Sequence, residues 1–338
     1  MTNKRTALPL YRQVLHDAWR LTLTHKHLWI FAFFATFIGF GGVSEILLGA
    51  YDRLTSALPT VVALNETPLL MLPGFTTIRA MINLSPYPAL SLAFFVVLAI
   101  MLAAVFIYIV SLSIGALVYS IRQIERGGQP NFSEGLKAGA NSIGQVLIVN
   151  LGAKVLVWLT FVVTGANLMH LLAQRSWISL FIFLCSFVLF TIIAVSISIL
   201  TVYSTNSIVN GKLPIVPSIA DGLKILKNNW LVSIEMVIIL MVINVGIAVL
   251  ALALAMIISV PLVFIFFVAA IIKSATMMTA VMTLTFIVLV SILFVAMSFL
   301  TTLQTSAWTL LWIELSGRNK YHPKILRLID WFRERLTQ

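Results

Sequence analysis

The sequence predicts an all-α integral membrane protein of about six transmembrane helices. They are arranged as three quasi-repeated helical hairpins with interfacial elbow helices on the cytoplasmic side. Three observations carry this reading. The 338-residue chain is 60% hydrophobic and only 10% charged, with mean hydropathy +1.05. A water-facing domain carries about 25% charged residues, so lipid is the solvent here. Several apolar runs pass the roughly 18 residues that mark a membrane helix. Finally, a helix exit and the polar elbow after it occur twice. Residues 110–137 read VSLSIGALVYSIRQIERGGQPNFSEGLK, and residues 195–224 read VSISILTVYSTNSIVNGKLPIVPSIADGLK. Val118-Tyr119-Ser120 matches Val202-Tyr203-Ser204, Gly127 and Pro130 match Gly211 and Pro214, and Glu134-Gly135-Leu136-Lys137 matches Asp221-Gly222-Leu223-Lys224. Self-similarity at a near-constant spacing indicates repeated supersecondary units.

The elements follow in order. Residues 1–26 are basic, and Tyr11, Val14, Leu15, Ala18 and Trp19 recur at helical spacing, as in a helix lying in the membrane interface. The first span covers 28–48, with Gly39, Gly41 and Gly42 permitting close contact and Glu45 near its outer end. Residues 51–88 hold five prolines yet stay apolar, so 58–72 is read as lying on the outer surface. The second span, 89–121, is longer than the ~30 Å hydrocarbon core requires and must tilt or project. Gly127-Gly128 stops it, Pro130 follows, and a new helix starts at Ser133-Glu134.

The third span is 143–163, 164–177 is an outer loop, and the fourth span runs from 178 to about 203. The second elbow covers 206–229. From 231 to 272 Glu235 is the one charge, and Pro261 interrupts the run; 259–273 is read as a bent extension or an apolar outer loop. The last span lies within 276–315. The tail, 318–338, is a basic amphipathic helix. The chain is thus one membrane domain, 1–338, with sub-repeats 9–121, 122–205 and 206–317.

Charge sets the topology. Seventeen of the 22 Lys and Arg fall on the N-terminus, elbows and C-terminal tail, and four on the other side (Arg53, Arg79, Arg175, Lys273). By the positive-inside rule both termini and both elbows are cytoplasmic, in the plasma (cytoplasmic) membrane, with six spans rather than seven. The net charge of +11 is accounted for by these flanking clusters, which removes the argument for nucleic acid. Cys185 sits alone in an apolar run, with no disulfide or metal-ligand partner in sequence.

Lys154 is the sharpest candidate residue, about ten residues into the third span, where an uncompensated lysine costs about 2.5–3.5 kcal/mol. Asn150 lies one turn away on the same face. Together they could form a midplane anion or proton site, or Lys154 could be a structural lysine. Glu235 is the carboxylate inside the fifth span, and a pair with Lys154 requires equal depth. His25 and His27 are two apart and do not face one another on a helix, so interfacial histidines are preferred over metal ligands. Ser111, Ser113, Gly115, Ser196 and Ser198 read as close-packing positions. No catalytic, cofactor or metal motif appears: no paired intramembrane aspartates, Gly-x-Ser-x-Gly, His-Glu-x-x-His or phosphate loop. These absences argue against an enzyme.

The elements Trp19-Arg20, His25-Lys26-His27-Leu28-Trp29-Ile30-Phe31 and Ile124-Glu125-Arg126-Gly127-Gly128-Gln129-Pro130 resemble a group of bacterial multi-pass proteins. Some of that group are classed with the membrane domain attached to glycerophosphodiester phosphodiesterases. The catalytic residues of that enzyme do not occur here, so the resemblance implies a prokaryotic membrane protein and no activity. The expected role is a non-enzymatic membrane scaffold touching lipids, anionic headgroups at the cytoplasmic face, a membrane partner or a second copy of itself. The alternative is a small-solute or ion transporter or channel with Lys154 at its midplane site.

Overall fold

The computed structural model describes residues 10–36, 88–174 and 176–317. Eight helices make up the described chain: α1 (Leu10–Thr24), α2 (Leu28–Thr36), α3 (Pro88–Glu125), α4 (Phe132–Gln174), α5 (Trp177–Val209), α6 (Ile215–Asn228), α7 (Trp230–Ile271) and α8 (Ala275–Ser316). Five of them, α3, α4, α5, α7 and α8, are long and apolar enough to cross a membrane. The expected first span, 28–48, enters the described residues only as α2. Glu45, the 58–72 segment and the basic tail lie outside them.

Two compact units share the chain. The unit at 46–109 is represented by the first part of α3, an apolar helix. The other unit contains the remaining described helices and the rest of α3.

Helix length departs from expectation. α4 runs to Gln174, so 164–174 of the expected outer loop at 164–177 is helix, and the Ser176 hydroxyl accepts from the Ser179 N–H and caps α5. Residues 164–174 are rich in Ala, Leu, Met and Gln, strong helix formers that have no reason to stop. α7 is one helix to Ile271 with Pro261 inside it, so of the two readings of 259–273 the extension of the helix holds and the outer loop does not. Lys273 turns the chain at φ 53°, and Ser274 caps α8. At 42 residues each, α7 and α8 are about 63 Å long, twice the ~30 Å hydrocarbon core.

The two elbows differ. α3 ends in a Schellman turn: the Gly127 N–H donates to Ile124 O and the Gly128 N–H to Gln123 O, both at 2.9 Å, with Gly127 at φ +82°. α4 then passes without a break from elbow to span. After α5 the left-handed residue is Lys212 (φ 56°), not the Gly211 that the repeat aligned with Gly127. Gly211 is constrained differently, because a Cβ there would lie 2.5 Å from Ser207 O. α6 stops at Asn229 before α7 begins. One contact is the same in both elbows: a Cβ on Gly135 would lie 2.9 Å from Ser120 Oγ, and a Cβ on Gly222 would lie 2.9 Å from Ser204 Oγ.

The core lies at the elbow end, around the last turns of α8. Leu303, Ala307, Leu310, Leu311 and Leu315 are buried, as are Trp308 and Trp312, so every face of this helix is covered. Trp19 of α1 and Trp29 beside it pack edge-on against Phe299, and Phe33 of α2 packs against Phe294. α3 and α4 meet where Gly115 lies against Gly139 and where a Cβ on Gly139 would come within 2.3 Å of Leu112 O. Ser111 and Ser113 are buried on the same stretch of α3, whereas Ser196 of α5 is exposed, against its reading as a close-packing residue.

Candidate functional site

The residues with chemistry gather in this elbow-end core. Asn229 separates α6 from α7, and its carbonyl accepts both the N–H and the hydroxyl of Ser233 at 3.0 Å. That spends the Ser233 proton, so at 2.8 Å the Tyr203 hydroxyl is the donor to Ser233 Oγ. The ring of Tyr203 stands edge-on to Trp308, centroids 5.9 Å apart. Half a turn beyond Ser233, Glu235 is buried at 8% exposure. Its carboxylate faces the Tyr11 hydroxyl of α1. Burial first, and the Glu235 carboxylate second, push the Tyr11 phenol well above the usual range. α1 therefore meets α7 through a phenol that stays protonated.

A second chain of bonds ties four helices. Trp312 Nε1 donates to Ser207 Oγ at 3.2 Å, and Ser207 Oγ donates to Asp221 Oδ2 at 2.6 Å. Arg122, in the last turn of α3, donates from Nη1 to Asn210 O at the end of α5, and its Cζ sits 5.6 Å from the centre of the Trp312 ring. The C-terminal turns of α3, α5 and α8 converge here, each carrying a partial negative charge at its end. One guanidinium answers a carbonyl and an aromatic face together, which a lysine could not reproduce.

α8 adds hydroxyls. Thr301 meets Thr36 at 2.8 Å, and Gln304 donates to Asn244 Oδ1 at 2.6 Å. Thr305, Ser306 and Thr309 are buried with no hydrogen-bond partner among the described residues. At the far end of α8, Thr276, Thr279 and Thr283 line an open groove of about 710 Å³.

The sequence-predicted residues fall in different places. Asn150 is buried and donates to Val146 O at 2.8 Å and Thr205 Oγ1 at 3.4 Å. Lys154 is half-buried one turn further, amid exposed Leu151, Val155 and Trp158. Asn150 and Lys154 stand about five and six turns into α4, and Glu235 about one and a half turns into α7; Asn150 is joined to α5 and Glu235 to α1. His25 and His27 stand edge-on at 5.8 Å, and among the described residues no group of three or more His, Cys, Asp or Glu converges. Burial first, and His25 second, hold the His27 pKa below its ordinary value.

Tyr11, Arg122, Tyr203, Ser207 and Trp312 were not singled out from sequence as site residues. Arg122 carried a signal: a cation in the last helical turn before Gly127-Gly128. Comparison with family models, with curated proteins and with solved structures gives no match.

Proposed function

We propose that this protein is a non-enzymatic, multi-pass scaffold of the cytoplasmic membrane that works by holding lipids or membrane partners at its elbow surface. The observation that carries this reading is the elbow-end core. Its interior is packed with α8 at the centre, and its acid and basic residues, Glu235, Asp221 and Arg122, are spent on holding helices together. The long apolar halves of α4, α5, α7 and α8 face outward, as a lipid-embedded frame requires. The matched Ser120–Gly135 and Ser204–Gly222 contacts support a chain built from repeated hairpins. The charge bias supports six spans with both termini cytoplasmic.

A transporter or channel centred on Lys154 is the second reading, favoured by the buried Asn150–Thr205 contact one turn away. Water separates the two. Cys185 is exposed on α5, so Cys185→Ala provides a cysteine-free background at little cost. Lys154→Cys in that background is probed with a membrane-impermeant thiol reagent from each side, with exposed Gln129→Cys as the elbow control. The scaffold reading expects labelling at 129 and none at 154. Labelling at 154 from either side would overturn it in favour of a hydrated pathway.

A further inference from the structure

α6 faces the opposite way from an ordinary surface helix. The residues it turns into the bundle are Ser218, Gly222 and Ile225. Gly222 fits there because a Cβ would lie 3.1 Å from Ser204 N as well as against Ser204 Oγ. Three of its large apolar residues point out, while Ile215 and Leu226 pack partly buried against the core. Val216 is 76% exposed, Leu223 53%, and Trp230, which opens α7, 57%; Ile219 lies between them on the same face. Spacings of three and four put Val216, Ile219 and Leu223 on one stripe of α6, and Trp230 follows just beyond the break at Asn229. Beyond the break, α7 is exposed and apolar in turn at Ile234, Ile238, Met241 and Val245.

The charge on this face has one sign. Lys212, Lys224 and Lys227 are all exposed. Asp221, the single acid of α6, is directed inward and accepts from Ser207. An apolar stripe edged by lysines, with its acid withdrawn and a lipid-facing helix following it, is complementary to the headgroup layer of an anionic bilayer.

We propose that α6 lies in that layer, with Val216, Ile219, Leu223 and Trp230 inserted at the level of the upper acyl chains and Lys224 and Lys227 on lipid phosphates. This rests on the scaffold reading and names its partner: anionic phospholipid, gripped by the second elbow. The inward Asp221–Ser207 bond makes the grip part of the core, because the bond that orients α6 also reaches Trp312 of α8.

The test uses the full-length protein with Cys185→Ala and Leu223→Cys, labelled with an environment-sensitive dye, in vesicles of phosphatidylcholine with or without phosphatidylglycerol. Val216→Cys serves as a second reporter should the first disturb folding. Blue-shifted emission is expected, quenched by lipids spin-labelled near the headgroup and protected from aqueous iodide. The effect should strengthen with phosphatidylglycerol and weaken in Lys224→Gln/Lys227→Gln, each lysine favouring the bound state roughly fivefold. Quenching by iodide alone would show a water-facing helix, and protection from both quenchers would show a protein covering it; either overturns the proposal. So would lipid quenching that ignores phosphatidylglycerol and the lysine changes. An unlabelled Lys154→Cys alongside any of those results leaves the scaffold reading standing and removes only the lipid grip.

Discussion

The two ends of the long helices in the main unit are made of similar residues and behave differently. At the elbow end, α8 is buried all round from Thr305 to Trp312, and its own Thr302 and Thr309 and the Asn206, Ser207 and Ser233 side chains of α5 and α7 are fully buried. At the far end, Val249, Leu250, Leu252, Phe264 and Ile271 of α7, and Met282, Phe286 and Ile287 of α8, are open. The most hydrophobic windows of these helices are the least covered, only 6% buried in α7 and α8. The difference shows where specificity lies. Lipid tails are as apolar as leucine, so an apolar helix face gains little by leaving them for another. Close backbone approach and hydrogen bonds supply the preference, and in this unit they are concentrated at the elbow end.

Glycines give the sharpest way to break the comparison. Gly139→Ala puts a Cβ 2.3 Å from Leu112 O, a backbone atom that cannot move aside. We expect a loss of about 3 kcal/mol, the upper range for overpacking, read as a lowered unfolding midpoint in detergent micelles. Gly246 of α7, in the open half, has nothing within 4 Å. Gly246→Ala should instead stabilise by roughly 0.5–1 kcal/mol through helix propensity. Equal effects at the two positions would refute the contrast.

Arg122 sharpens it next. Arg122→Ala removes the bond to Asn210 O and the Trp312 contact, and should cost about 1–2 kcal/mol, discounted from the usual range for a charged hydrogen bond because the side chain is half exposed. Arg122→Lys should recover only part, since an ammonium keeps the charge without the planar fork. Full recovery in the same unfolding assay would mean that charge alone is at work.

The smallest effect is a pH dependence. His27 is held below its ordinary pKa by burial, so its contribution is fully present above the unfolded value, about 6.5, and is lost as pH falls through the folded value. Thermal midpoints should drop on acidification, and His27→Gln should flatten that slope; an unchanged slope would place the titration elsewhere.

Much of this was legible beforehand, for particular reasons. Gly127-Gly128 before Pro130 announced the end of α3 because a left-handed turn favours glycine. The amphipathic spacing of Tyr11, Val14 and Ala18 identified α1, and all three are buried. Less was legible where helix and loop share a composition. Residues 164–177 were read as a loop and 259–273 as either a bent extension or a loop; helix runs to Gln174 in the first and to Ile271 in the second. The partner of Glu235 could not be read at all. Tyr11 lies 224 positions away, and no local pattern reports a contact made by docking α1 on α7.

The sequence by itself determined the solvent, the helices, the two elbows and the charge bias between the ends. Those follow from composition and from backbone rules that act over a few residues. Tertiary structure decided which way each helix faces. Hydrophobicity could not decide it, because inside and outside are equally apolar for a helix in lipid. For α6 the choice fell to Gly222, which is small enough to let it lie against Ser204, with Ser218 buried on the same side. That close approach leaves Val216 and Leu223 facing outward.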